Sequence, residues 1–149
     1  MSAQGGAKRN PGLTNAPQTN PVRVALDERG IVAQSLARVI VHIVYCTKNR
    51  RKWLHDRKLR EELYAYNATV LSSRMESQVI LINGVDDHLH ILCLLSRKFS
   101  IMEVVKKSKT ETSKWLKKQR PDLVDFQWQS GYGIFSVSES NVERVKHYI

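Results

Sequence analysis

Residues 78–95 read QVILINGVDDHLHILCLL, and the fold turns on this stretch. Gln78 to Gly84 is a β-branched, apolar run, Gly84-Val85-Asp86-Asp87 carries turn residues, and His88 to Leu95 is a second apolar run. The pattern is strand, turn, strand. Side chains of a strand alternate between faces, so His88, His90, Leu92 and Leu94 share one face, while Leu89, Ile91, Cys93 and Leu95 share the other. By the same alternation Val79 and Leu81 face one way, and Ile80 and Ile82 the other. The all-apolar face of the second strand belongs under helices, which leaves the histidines on the opposite side. Neighbouring imidazoles can share one divalent metal ion. The plainer reading is a pair of hydrogen-bonded interior histidines, and a bare His-x-His does not decide between them.

Working outward, Arg38 to Thr47 (RVIVHIVYCT) is another β-branched strand, ended by the basic turn Lys48-Asn49-Arg50-Arg51-Lys52. Arg57 to Arg74 is a helix with Leu59, Leu63, Tyr66, Val70 and Leu71 on one stripe and Asp56 as its cap. Ile101 to Gln119 is a second helix, stopped by Pro121. Phe126 to Val137 is a fourth extended segment. A last short helix starts at Ser140-Asn141-Val142-Glu143, where Ser140 and Glu143 form a capping box. The order β-α-β-β-α-β plus a terminal helix predicts an α+β, ferredoxin-like fold with a four-stranded antiparallel sheet. Its first and third strands lie side by side at the centre. Two helices cover only one sheet face, so the other needs the last helix, a substrate or a partner subunit.

The chain has 149 residues, enough for a single domain with its own core. Residues 1–34 hold three of the 4 prolines and four of the 7 glycines without hydrophobic periodicity. They read as a flexible tail, with the domain proper from residue 35 to 149. Lysine and arginine number 24 against 14 acidic residues, a net charge of +10 that favours polyanionic partners. Apolar runs such as Val39 to Cys46 are far too short to span a bilayer, and the N-terminus lacks the apolar core of a signal peptide. Cys46 and Cys93 make no CxxC motif, so neither a redox pair nor a zinc ribbon is written here. A reducing cytoplasm and no membrane role are the expectation.

Four stretches together resemble a known family: His42-Ile43-Val44-Tyr45-Cys46-Thr47-Lys48, Asp87-His88-Leu89-His90, Trp128-Gln129-Ser130-Gly131-Tyr132-Gly133 and Val145-Lys146-His147-Tyr148-Ile149. In this order and on this topology they look like the single-tyrosine transposases, the insertion-sequence and REP-associated enzymes of the His-hydrophobe-His nuclease superfamily. The resemblance covers residues 34–149. It implies cleavage and rejoining of single-stranded DNA without ATP, in a bacterial or archaeal cytoplasm at the nucleoid. His88 and His90 carry over as ligands of Mg²⁺ or Mn²⁺, which holds an oxygen of the scissile phosphate. Tyr148 carries over as the nucleophile that forms a 5′-phosphotyrosine. A phenol with a pKa of about 10 is a poor nucleophile at neutral pH, so neutralising the phosphate lowers the barrier. In the family pattern a glutamine one helical turn after the tyrosine is the third ligand. This sequence ends at Ile149, so the helix reads as truncated and that ligand as lying beyond it.

Other residues are candidates on their own chemistry. His42 lies on the strand beside the histidine strand and is a candidate for phosphate contact or for support of the ligands. A satisfied interior histidine is the alternative. Asp86 has the strand parity of His88 and His90 and is a candidate for the same supporting role, against the reading of a turn aspartate capping its own backbone. Lys48, Arg50, Arg51 and Lys52, with Lys106, Lys107, Lys109 and Lys114 on the second helix, are the candidate DNA-binding set. Trp53, Trp128 and Tyr132 are stacking or core aromatics. The expected partners are a single-stranded DNA hairpin and a second copy of the chain in a homodimer. A non-catalytic nucleic-acid-binding module of the same fold is the alternative, although the third strand lacks the exposed aromatics of RNA-recognition sheets. A metal-dependent phosphohydrolase would need more carboxylates than Asp86 and Asp87 offer.

Overall fold

A computed structural model describes residues 37–149, so the expected tail, residues 1–34, lies outside the described residues. The elements are β1 (Ile40–Cys46), α1 (Arg57–Arg74), β2 (Gln78–Val85), β3 (His88–Leu94), α2 (Ile101–Gln119), β4 (Gly133–Val137) and α3 (Val142–Tyr148). Every strand pair is antiparallel, in the order β2-β3-β1-β4. This is the α+β, split βαβ arrangement that the alternation of runs predicts. Among the described residues no helix is long and apolar enough to cross a membrane.

The helix bounds follow from their caps. The Asp56 carboxylate accepts the backbone N–H groups of Lys58 and Leu59, which otherwise lack partners at the start of α1. At the start of α2, Ser100 Oγ accepts from the Glu103 N–H and the Glu103 carboxylate accepts from the Ser100 N–H. The capping box therefore sits here and not at Ser140 and Glu143. An N-cap needs extended backbone, and near α3 that conformation falls on Ser138 (φ −70°, ψ 152°). Ser140 lies inside the 3₁₀ turn Glu139–Asn141, and Glu143 pairs with Lys146 instead.

Leu89, Ile91 and Cys93 of β3 and Val41, Ile43 and Tyr45 of β1 pack under the two helices, against Leu59, Leu63 and Leu71 of α1 and Val104, Val105 and Leu116 of α2. The histidines therefore take the opposite face, as the alternation predicts. The alternation fails in β2, where a bulge between Val79 and Leu81 inserts Ile80. Val79 and Ile82 both pack on the helix side, and Asn83 moves to the histidine face opposite His90. An extra residue in one strand shifts the facing of all that follow it.

A buried polar group ties the layers together. Tyr45 Oη bonds Ser108 Oγ (2.8 Å) and accepts from Asn67 Nδ2 (3.1 Å), while Ser108 Oγ donates to Asn67 Oδ1 (2.7 Å). β1, α1 and α2 thus share one closed triangle. Asn67, not Tyr66, fills the buried stripe of α1; Tyr66 stacks on Trp115 at its margin.

The fourth extended segment is shorter than the sequence suggests. Only Gly133–Val137 is strand; Phe126 turns into the core and Trp128 makes an isolated bridge to Thr47. α3 crosses the histidine face, with Arg144 and Val145 near Ser136 and Val137 of β4, and the Ile149 carbonyl accepting from Asn83 Nδ2 of β2 (2.9 Å).

Two substitutions test this packing. Asn67→Ala takes away the acceptor of the Ser108 hydroxyl and a donor to Tyr45 Oη in the interior, and lowers unfolding stability by about 1–3 kcal/mol, read as a fall in the urea midpoint at constant slope. At Gly84 an added Cβ runs into the backbone carbonyl of His88. Gly84→Ala therefore costs about 1–3 kcal/mol by overpacking, with amide shifts in an NMR correlation spectrum centred on the β2–β3 hairpin.

Candidate active site

The β1–β3 register sets Cys46 opposite His88, Val44 opposite His90 and His42 opposite Leu92. His42, His88 and His90 consequently share one face. His42 Nε2 and His90 Nδ1 share a hydrogen bond of 2.9 Å, with the rings stacked at 5.1 Å between centroids. The His88 and His90 ring centroids are 5.0 Å apart. His88 Nδ1 meets Asp87 Oδ1 at 2.6 Å, and the other oxygen of Asp87 accepts from Arg50 Nε at 3.3 Å. Bonding to His88, ahead of the Arg50 charge, holds the Asp87 carboxyl below its ordinary range.

Burial pulls His42 below its usual pKa and, with the nearby His88 and His42 rings, takes His90 down to about 4. His42 and His90 are therefore neutral at physiological pH, the state in which imidazole coordinates a metal. A carboxylate on Nδ1 turns His88 so that Nε2 is the outward nitrogen, the arrangement found behind metal-bound histidines. His88 Nε2 and His90 Nε2 are the two donors on offer. Among the described residues no group of three or more His, Cys, Asp or Glu side chains is placed to hold a metal ion. The donor set fits a metal that keeps most of its shell for water or phosphate oxygens, and two imidazoles suit Mn²⁺ better than Mg²⁺.

Tyr148 lies above this group. Its ring centroid is 5.8 Å from that of His90 and 6.1 Å from that of His42, both edge-on, and the residue is 74% exposed. The tyrosine thus meets the histidines of its own chain. The cleft around them, about 550 Å³, is walled by Tyr132 and Phe135 as well as by Tyr148.

The other candidates divide. Asp86 does not face the histidines, because its carboxylate pairs with Arg60 of α1 (2.8 Å). The tight turn breaks strand parity, and Asp87 takes the place that parity suggested for Asp86. Of the basic turn, Lys48 bonds Gln127, Arg50 pairs with Asp87, and Arg51 stacks on the Trp53 ring at 4.2 Å. Lys52, Lys106 and Lys114 are exposed. Lys107 pairs with Glu111. Lys109 is turned inward, onto backbone carbonyls of the 129–131 segment. Trp128 is partly buried against the core, its Nε1 donating to Thr112 Oγ1 and its ring edge-on to Tyr45. Tyr132 and Phe135 stay 40% and 61% exposed in the cleft. Asp87, Phe135 and Asn83 escape the sequence reading. The position of Asp87 directly before His88 was the one available signal; the facing of the other two depends on a bulge and on a strand start that periodicity does not mark.

Comparison with known proteins shows the fold and the family. None of the curated proteins matches the chain significantly. Among solved structures, a protein assigned as a transposase from Deinococcus radiodurans R1 superposes with a TM-score of 0.61 at 18% identity, over 76% of this chain and 90% of that one. A REP-associated tyrosine transposase bound to a REP hairpin superposes with a TM-score of 0.54 at 11% identity, over 78% of this chain and 66% of that one. At such identities the likeness is one of fold. The family model described as "Transposase IS200 like" matches residues 35–149, all of the chain except its N-terminal segment, and the protein belongs to that transposase family.

Proposed function

We propose that this transposase cuts and rejoins single-stranded DNA with Tyr148 as its nucleophile. The observation that carries the reading is the position of the Tyr148 ring, exposed and edge-on above His90 and His42 within a single chain. In the forward step Tyr148 Oη bonds to phosphorus as the bond to the 3′ oxygen breaks. The phenol loses its proton and the departing oxygen gains one, leaving a 5′-phosphotyrosine and a free 3′-OH. The same 3′-OH, or that of another strand end, reverses the step, so the phosphodiester energy is kept and no nucleotide cofactor is needed.

When bound at His88 and His90, Mg²⁺ or Mn²⁺ supplies a Lewis acid for a non-bridging phosphate oxygen. The rest falls to the chain itself. Asp87 fixes the His88 ring, and Arg50 fixes Asp87. His42 holds the His90 ring through its nitrogen. Tyr132 and Phe135 offer exposed rings on which unpaired bases stack. Lys52, Lys106 and Lys114 supply charge for the backbone. The hairpin seen with the REP-associated relative is the substrate form we infer for this chain. A homodimer belongs to this reading as an assembly state only, since one chain already brings its tyrosine over its own histidines.

Three outcomes check the proposal. With labelled hairpin single strand and Mn²⁺, the wild-type protein gives a covalent band on a denaturing gel, and Tyr148→Phe lowers its yield by ~10³-fold or more while binding is retained. A covalent band that survives Tyr148→Phe would show that another residue attacks. His88→Ala and His90→Ala each abolish the band without abolishing DNA binding, and a chelator does the same to the wild type until Mn²⁺ is restored. Hairpin binding, followed by fluorescence anisotropy, exceeds binding to random duplex and weakens as a power of salt concentration, with a slope of about −0.7 per phosphate neutralised on single strand.

A further inference from the structure

Beside the cleft, the chain next to β1 leaves the sheet and returns. The Gln129 N–H donates to the Cys46 carbonyl at 2.8 Å, and pairing resumes with Gly133 opposite Val44. Between these points Ser130, Gly131 and Tyr132 span what Tyr45 alone spans on β1. A lateral ladder is not available to the carbonyls of such an excursion, which leaves them to side-chain donors or water.

One donor meets them. Lys109 Nζ, reaching from α2, donates to the carbonyl oxygens of Gln129 (2.7 Å), Ser130 (3.3 Å) and Gly131 (2.7 Å). Its ammonium lies 5.3 Å from the Tyr45 ring centroid and 5.7 Å from that of Tyr132. Three N–H groups and three carbonyls use the full donor capacity of an ammonium, so this lysine has no donor left for a phosphate. Burial also draws its pKa below the ordinary lysine value, as expected for a cation turned away from water.

The segment so held is a partition. Gln129 and Tyr132 line the cleft of Tyr148 and His90 on one side. On the other they line a second hollow of about 480 Å³ against Met102, Val105 and Lys106 of α2. We propose that Lys109 is a positioning residue and not a phosphate contact: its ammonium locks Gln129–Gly131 as the wall that shapes the cleft in which the scissile strand meets Tyr148. This rests on the transposase reading of that cleft.

Lys109→Met keeps the stem against Tyr45 and removes the donors, and Lys109→Arg returns donors on a guanidinium. For Lys109→Met we expect exchange of the Gln129 amide, whose N–H bonds the Cys46 carbonyl, to rise roughly 10-fold in the free protein. Covalent-adduct formation at saturating hairpin DNA should fall roughly 10- to 100-fold through misplacement of the cleft wall. The salt slope of hairpin binding should not change, and Lys109→Arg should recover most of both losses. Lys106→Met, on the same helix but exposed, calibrates the slope measurement by lowering it by about 0.7. If Lys109→Met lowers the slope by that amount while exchange at Gln129 stays as in the wild type, Lys109 contacts phosphate and the proposal is wrong. Raised exchange with an unchanged adduct rate also overturns it, since the wall would then not serve the chemistry. Absence of any adduct with wild-type protein refutes the transposition chemistry, while exchange and salt slope still judge the clamp.

Discussion

The register between β1 and β3 is the constraint on which everything else rests. With Val44 opposite His90 and Cys46 opposite His88, three imidazoles gather on one face and Tyr45, between two of those positions, points to the other. A slip of one residue would drive His88 and His90 among the leucines under the helices. The register is pinned from behind, where the Tyr45 hydroxyl closes its triangle with Asn67 and Ser108. Burial pushes that hydroxyl up to about 12, so it stays protonated and serves structure alone. Two tyrosines in one small domain thus have opposite lives: Tyr45 is locked under the sheet and Tyr148 stands exposed above it.

The excess of positive charge has more than one use. Arg50 orients Asp87 from a left-handed backbone (φ 52°) that residues other than glycine rarely adopt without tertiary support. Arg60 secures the turn through Asp86, Arg120 ties Asp56 at the start of α1 to the end of α2, and Lys109 holds a loop. Charge read as a sum over the chain predicts the kind of partner, but it does not show that several of these cations are also engaged within the domain.

Regular elements were legible in the sequence wherever period and cap agreed. α1 and α2 have the bounds that Asp56, Pro121 and their apolar stripes suggest, and the histidine face follows from simple alternation. What escaped was every place where the chain departs from a period. The inserted Ile80 turned Asn83 over, the two-residue turn gave Asp87 the place expected of Asp86, and the excursion at 130–132 cut the fourth strand short. Ser140 and Glu143 have the spacing of a capping box, but the last extended residue is Ser138 and the backbone is already turning at Glu139. The same four-residue pattern at Ser100 and Glu103 sits on extended chain and works. The contacts of Lys109 escape for a related reason: its partners are backbone carbonyls, which leave no trace in side-chain composition.

The inserted residue in β2 has one more effect. β2 and β4 are the two margins of the sheet. A margin with evenly spaced N–H and C=O groups is a template for another strand, and proteins avoid stacking into fibres by spoiling that spacing. Here β2 is spoiled by its extra residue and β4 is short, five residues, with the looped 130–132 excursion before it. Neither border therefore offers a long, evenly spaced run of N–H and C=O groups for another strand to pair with.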